Sequence, residues 1–437
     1  MTLRKLWLMG AAATMGLGGM ATAPAQAQDT LFFPVLVYRT GAYAPTGIPA
    51  ANGIVDYYKL LNARDGGIGG VKIAWEECET VYDTKAGVEC YERLKAKKPL
   101  IVFPYSTGIT YALIEKAPVD KIPILSMGYG RTDASDGRIF PWTFTTPTTY
   151  WSQASAVVRF IASKEGGMDK LKDKTIAVVY HNSPYGREAL PTMEALAKIH
   201  GYKLEALAVD HPGQEQKATW LKVRQIKPDW IFVRGWGVMT QVAIKEAAAI
   251  GFKMDRMIGN WWSSAEPDVI PAGDAAKGYI GATFHAPGAT FQLHADMIKH
   301  VYDKGQGTGK KEEVGQVLWN RGMLNALIAT EGVRVAQAHF KTKVVTGEQV
   351  RWGMENLDIT DARWKELGLE GFTKPIKTTC ADHEGNGPVM FQQWDGKEWK
   401  IISGWFDPIR DVVRPMIEES AAKYAKEKGI EPRKDCN

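Results

Sequence analysis

Residues 31–75 constrain the fold more than any other stretch of the chain. Leu31 to Val37 is a short apolar run, the pattern of a strand buried on both faces. A small-residue turn, Arg39 to Gly47, follows. Ile54, Tyr57, Tyr58 and Leu61 then recur at helical spacing, which predicts a helix over 48–63. The cluster Asp65-Gly-Gly-Ile-Gly-Gly70 stops it, and Val71 to Trp75 reads as the next strand. Strand, helix and strand make a βαβ unit, because parallel strands need a crossover. A chain that opens this way is directed to an α/β architecture.

The alternation continues downstream. Leu100–Phe103, Ile122–Ser126, Thr175–Tyr180, Lys203–Val209, Pro228–Val233 and Arg256–Gly259 read as strands. Helices are expected over 109–116, 150–164, 187–200, 217–226 and 239–250, with Thr148 or Thr149 as the N-cap of the second. At 437 residues the chain exceeds one ordinary core, so two lobes are expected. A 45% hydrophobic and 24% charged composition is that of a soluble globular protein.

Residues 1–27 have the makeup of a secretory signal. Arg4 and Lys5 precede an apolar, Gly/Ala-rich stretch from Leu6 to Met20, and Ala25-Gln26-Ala27 forms a cleavage site before Gln28. No cysteine stands at that site to take a lipid, and no other long apolar run suggests a membrane span. An exported chain meets an oxidising compartment, so Cys78, Cys90, Cys380 and Cys436 are expected in disulfides. Four cysteines allow three pairings. The nearest-neighbour set, Cys78–Cys90 and Cys380–Cys436, is the simplest. The competing explanation, metal binding, has no Cys-x-x-Cys spacing behind it. Net charge is +5, and Arg4 and Lys5 leave with the signal. That surplus and the absence of a basic run give no nucleic-acid surface.

Enzyme signatures are missing. There is no Gly-x-Ser-x-Gly, no His-Glu-x-x-His, and no Gly-x-Gly-x-x-Gly at a strand–helix junction. Gly305-Gln-Gly-Thr-Gly-Lys310 imitates a phosphate loop without its glycine spacing or the hydroxyl residue after lysine, and reads as a polar loop. His294 and His300 lie six apart, not a ligand spacing on one helix face, and are expected at the surface. No catalytic residue, metal or cofactor is expected.

Thr40-Gly41, Gly47, Gly53 and Asn62-Ala-Arg-Asp-Gly66-Gly67-Ile68-Gly69-Gly70 complete the picture of the opening unit. Together they resemble the start of the periplasmic solute-binding proteins of ABC importers, in the branched-chain amino acid-binding family. The resemblance implies the type I Venus flytrap fold: two Rossmann-like, parallel-sheet lobes joined by a three-strand hinge. Lobe 1 would hold residues 28–148 and 285–386. Lobe 2 would hold 149–284 and 387–437, with the amphipathic segment Pro408 to Lys428 as a C-terminal helical extension lying on it. The crossings would fall near Phe144–Pro147, Phe284–Gly288 and Asn386–Gly387, each rich in Gly, Pro or Thr. Cys78 matches a disulfide cysteine of the family, whose usual partner position is Tyr105 here, leaving Cys90 as the substitute.

The resemblance also places a ligand site. Ligands of open α/β sheets bind beyond the C-terminal strand ends. Tyr105, Ser106, Thr107 and Gly108 match the segment that holds the ligand carboxylate in the family, although a plain N-cap at Ser106 or Thr107 explains the same residues. Gly128, Tyr129 and Gly130 match the second first-lobe segment, and Thr46, with Tyr43 nearby, the first turn. Across the cleft stand Tyr185, Trp236, Trp261 and Trp262. Amino-acid binders of the family carry Glu where Trp261 falls, to take the ligand ammonium, and Trp261 cannot do that. The expected ligand is therefore a small carboxylate with an aromatic or apolar body, with an amino acid or amide as the alternative. The expected partners are that solute and the permease subunits at the inner membrane, the protein itself being a periplasmic monomer. Ligand sensors share the fold, so sensing is a second reading.

The first prediction concerns export. The mature protein begins at Gln28, and intact-mass measurement of protein recovered from the periplasm finds the loss of residues 1–27. A retained leader contradicts it.

Overall fold

A computed structural model describes residues 30–436; the signal segment 1–27 and its cleavage site lie outside the described residues. Strand β1 (Leu31–Val37) pairs in parallel with β2 (Ile73–Glu79), Leu31 opposite Ile73 and Val37 opposite Glu79. The crossover between them is α1 (Ala44–Arg64). It starts earlier than the apolar spacing predicts because Pro45 stands in its first turn, where a missing N–H breaks no bond. Helix α2 (Thr84–Leu94) follows, N-capped by Asp83. The expected strand at 100–103 is reduced to two bridges, Phe103 to Val35 and Val102 to Ile124. Then come α3 (Thr107–Leu113), β3 (Ile124–Leu125) and β4 (Thr143–Phe144), the two strands paired in parallel.

A second sheet has seven strands. Helix α4 (Tyr150–Glu165) leads into it, with the Thr149 hydroxyl accepting from the Ser152 N–H at 3.3 Å. The strands are β5 (Thr175–His181), β6 (Lys203–Val209), β7 (Trp230–Arg234), β8 (Met257–Gly259), β9 (Ile280–Thr283), β10 (Met390–Trp394) and β11 (Trp399–Ile401), in spatial order β11-β10-β9-β8-β7-β5-β6. Strands β5 to β9 run parallel, and β10 and β11 close one edge antiparallel. Helices α5 (Leu190–His200), α6 (Lys217–Ile226) and α7 (Val238–Ala249) are the crossovers. The single helix expected over 187–200 is broken, because Pro191 cannot donate to the preceding turn, and a short turn Pro184–Arg187 stands apart.

The longest helix, α8 (Val317–Phe340), lies against α1. Close approach depends on two glycines. A Cβ at Gly53 would overlap the Trp319 carbonyl, and one at Gly322 the Ala50 carbonyl. Just before it, helix Gln292–His300 turns His294 inward beside Met297, correcting the surface expectation. The His294 ring shares a 2.7 Å hydrogen bond with the Asn320 side chain, and burial pulls its pKa down, so it packs as a neutral group. His300 is half-buried. The 305–310 loop is polar as expected and docks on α1, Thr308 N–H donating to Asp56 at 2.9 Å. No helix among the described residues is long and apolar enough to cross a membrane.

Helix α9 (Arg410–Lys428) touches both bodies, not the second alone. Its entry is held to α4 by the Ile409 N–H on Ser155 Oγ at 3.0 Å, and Val413 and Ile417 pack on Trp151. Its far half covers the β3–β4 region. Ala421, Tyr424 and Ala425 pack with Ile114, Ile139 and Phe140, Ser420 donates to Asp133 at 2.6 Å, and Lys428 pairs with Glu115 at 2.7 Å. The tail beyond it ends in the Cys380–Cys436 disulfide, and Cys78 is bonded to Cys90.

Cys380–Cys436 spans 56 residues, so it restrains a long loop of the unfolded chain. Replacing both cysteines by serine is expected to lower stability by about 2–4 kcal/mol, measured by urea unfolding of the oxidised wild type against the double variant. Coincident unfolding curves contradict this.

Candidate ligand-binding site

The C-terminal ends of β1, β5, β7 and β8 face one cleft between the two sheets, the place where parallel α/β sheets leave their loops free. Aromatic rings fill it. Tyr38, just past β1, stacks on Tyr105 at 4.7 Å and meets Tyr82 edge-on at 5.0 Å. Tyr129 stacks on Trp262 at 4.7 Å, and Trp236 meets Trp262 edge-on at 5.4 Å. Trp261 lies on Tyr150 at 5.2 Å with its edge toward Phe284. Each such pair adds about 0.5–1.5 kcal/mol beyond area burial. At the centre of the cleft one atom takes two bonds from the opposite side: the Gly128 carbonyl oxygen accepts from the indole N–H of Trp261 at 2.9 Å and of Trp262 at 2.6 Å. A positive φ of 70° at Gly128 turns that carbonyl across the cleft.

A cavity of about 270 Å³ opens beside this aromatic wall, lined by Tyr43, Tyr82, Ser106, Gly108, His181 and Tyr185. Of the residues predicted from sequence, Ser106, Gly108 and Tyr185 line it directly. Ser106 is the N-cap residue of α3 but makes no side-chain cap bond. Thr107 instead accepts the Gly130 N–H at 3.1 Å and so holds the 128–130 turn. The Tyr105 hydroxyl donates to the Gly47 carbonyl at 3.3 Å. Thr46 does not reach the cavity, since its hydroxyl is spent on the Tyr43 carbonyl at 2.8 Å. Gly128, Tyr129, Trp236, Trp261 and Trp262 form the buried wall. The hydroxyls of Tyr38, Tyr129 and Tyr150 and the indole N–H of Trp236 are buried there without a hydrogen-bond partner.

Several residues of the site escaped the sequence reading. Burial, then the neighbouring His211, pulls His181 down to about 4, so the ring is neutral. It shares a 2.9 Å hydrogen bond with Tyr43 across the cleft. Glu188 crosses the cleft at the opposite edge, accepting from Tyr111 and, at 2.8 Å, from Thr132 Oγ1. Burial raises its pKa and favours the protonated carboxyl. Two arginines, Arg234 and Arg321, are fully buried behind the aromatic wall. Arg234 opens the segment 234–237 that the sequence already places at the cleft, two residues before Trp236, although its burial does not follow from that position. Arg321 lies on α8, where no pattern marked an element.

The sequence model of the periplasmic binding protein family matches residues 30–398. The chain belongs to the periplasmic binding protein family. Comparison with curated proteins gives no match. Among solved structures, this periplasmic binding protein is similar to one from the Pseudomonas fluorescens group, described as an ABC transporter permease. Identity is 45%, the match covers 94% of this chain and 100% of that one, and the TM-score is 0.87. It also shares its fold with a Thermus thermophilus branched-chain amino acid ABC transporter protein with bound valine (21% identity, 88% and 99% covered, TM-score 0.74). An R. palustris solute-binding protein in complex with benzoate is similar too (16%, 87% and 97% covered, TM-score 0.68). The two-lobed α/β architecture is thus that of the type I binding proteins, and the family is one of solute binders.

Behind Trp261 and Trp262, Asp268 is fully buried, and burial pushes its carboxyl up to about 8. Unfolded, the same group titrates near 4. The folded chain therefore binds the extra proton between those values, and stability falls as pH rises from about 4 to about 8. Urea unfolding is expected to show lower stability at pH 8 than at pH 5, with a flatter profile in Asp268→Asn. An unchanged slope in that variant contradicts the assignment.

Proposed function

We propose that this periplasmic binding protein is the solute-capturing component of an ABC importer. It binds a small carboxylate with an aromatic or otherwise apolar body between its two lobes and presents the closed form to the membrane permease. The lobes are residues 28–148 with 285–386, and 149–284 with 387–437. The protein acts as a monomer in the periplasm after cleavage behind Ala27. It transforms nothing and carries no cofactor; closure on the solute is its output.

The observation that carries this reading is the chemistry at position 261. An ammonium there needs a carboxylate, and the structure has an indole whose N–H is committed to Gly128. Asp83 borders the cavity, but it caps α2 by accepting the Ala86 N–H at 2.8 Å. An ammonium beside the fully buried Trp261 loses its water, and the charged partner on offer is the exposed Asp83 at the cavity rim, not a carboxylate at position 261. A carboxylate finds the Ser106 hydroxyl on the cavity wall, and its apolar body finds the rings of Tyr43, Tyr82 and Tyr185. The benzoate complex of the R. palustris protein is an instance of such a solute on this fold.

A thermal-shift panel tests it, since a ligand at about 100 times its dissociation constant adds about 2.7 kcal/mol of stability. Aromatic and branched aliphatic carboxylates are expected to stabilise the protein, and leucine, valine and short amides to do so weakly. Trp261→Ala is expected to weaken the best carboxylate about tenfold, and Trp261→Glu further through like-charge repulsion. Strong stabilisation by leucine or valine, with none from any simple carboxylate, contradicts the reading.

A further inference from the structure

Two cations sit behind the aromatic wall with no anion beside them. Arg321, on the second turn of α8, is 0% exposed. Its Nε donates to His285 at 3.2 Å, one terminal nitrogen to the Trp261 carbonyl, and the other to Thr283 Oγ1 at 3.3 Å. All three partners are uncharged, His285 being held neutral by its own burial and then by Arg321. Two of the five guanidinium N–H groups remain without a partner among the described residues. The guanidinium lies 5.1 Å from the Trp262 ring centre and 4.8 Å from that of Phe284. Arg234 is equally buried. It donates to the carbonyls of Gly186 at 3.0 Å and Tyr185 at 2.7 Å, and lies 4.2 Å from the Tyr150 ring centre. Neither arginine has a carboxylate oxygen within 4.0 Å among the described residues.

The nearby acids supply only part of the missing balance, and none of them touches either guanidinium. Glu188 is bound to Tyr111 and Thr132, Glu266 accepts the Val317 N–H at 3.0 Å, and Asp268 accepts the Ala265 N–H at 2.9 Å. Burial pushes Glu266 up to about 7 and Asp268 up to about 8, so at neutral pH Asp268 is mostly protonated and Glu266 only partly charged. Arg321 is pulled down only to about 9 and stays charged at neutral pH. Buried charges in proteins are paired, because an unpaired one forfeits its hydration. Here the two cations flank the Trp261–Tyr150 stack, and the unpartnered donors of Tyr129 and Tyr150 lie on the same wall. Through a water-poor aromatic layer their field is weakly screened.

We infer that Arg321, seconded by Arg234, is the specificity-determining charge of the site, selecting an anionic solute over its neutral counterpart. This rests on the carboxylate reading above. Arg321 acts through Trp261 and Trp262, whose loop it fixes, and through its charge; no contact with the solute is required of it.

The test uses matched pairs that differ in charge but hardly in shape: benzoate with benzamide, and 4-methylpentanoate with 4-methylpentanamide. Each is titrated calorimetrically into mature, ligand-stripped protein. The wild type is expected to favour the acid of at least one pair by tenfold or more, that is by about 1.4 kcal/mol or more. Arg321→Met is expected to shrink this ratio at least about tenfold, while Arg321→Lys keeps most of it, because the charge and not the hydrogen-bond fork is decisive. A folded Arg321→Met with the wild-type ratio overturns the inference and leaves carboxylate binding standing. So does a wild type that binds amide and acid alike. If Arg321→Met does not fold, Arg321→Lys decides: a retained ratio supports the charge role and a lost ratio overturns it. Binding of none of the four probes overturns the ligand class, and the inference with it.

Discussion

The cleft depends on one acceptor. The Gly128 carbonyl takes two indole N–H groups from the opposite side, and the backbone conformation that aims it is open to glycine. That contact sets Trp262 flat on Tyr129 and Trp261 flat on Tyr150, and those stacks define the wall against which a solute packs. Tyr43 with His181 and Glu188 with Thr132 then fasten the two edges. Each cross-cleft bond is local, yet together they bring together strand ends from two sheets that share no ladder.

Much of the scaffold was legible because its segments are periodic and punctuated. The bounds read for 203–209 and 217–226 coincide with β6 and α6. Thr149 caps α4 as its hydroxyl chemistry suggests. The break before Leu190 is not legible in the sequence, because apolar spacing on both sides of Pro191 masks the lost donor. Helix α8 was illegible for a different reason. Every residue from Val317 to Val333 is buried, so no amphipathic stripe forms, and Asn320, Arg321 and Asn325 stand in its interior as if on a surface.

The site was half legible on the same grounds. Residues at strand ends, such as Ser106, Tyr185, Trp236 and Trp261, follow from where parallel sheets leave loops. Partnerships across the cleft do not follow from local sequence. Thr107 and Thr46 look like ligand hydroxyls until their acceptors and donors are seen to be backbone groups nearby. Arg321 looks like a solvated helix charge until its burial is known. The general lesson is electrostatic: a hydrophobic pattern locates walls, whereas the charge balance of a cleft emerges only when distant segments are placed together.

Helix α9 gives the molecule an order of assembly. The segment that rests on both α4 and the β3–β4 region follows both of them in the chain, so neither can acquire this contact until residues beyond 410 are present. Until it arrives, each half can acquire its own sheet while nothing ties them along this edge. Cys380 likewise waits for a partner that stands 56 residues later. A chain shortened before Arg410 would keep the seven-stranded sheet and the β3–β4 region but lose the brace that spans them.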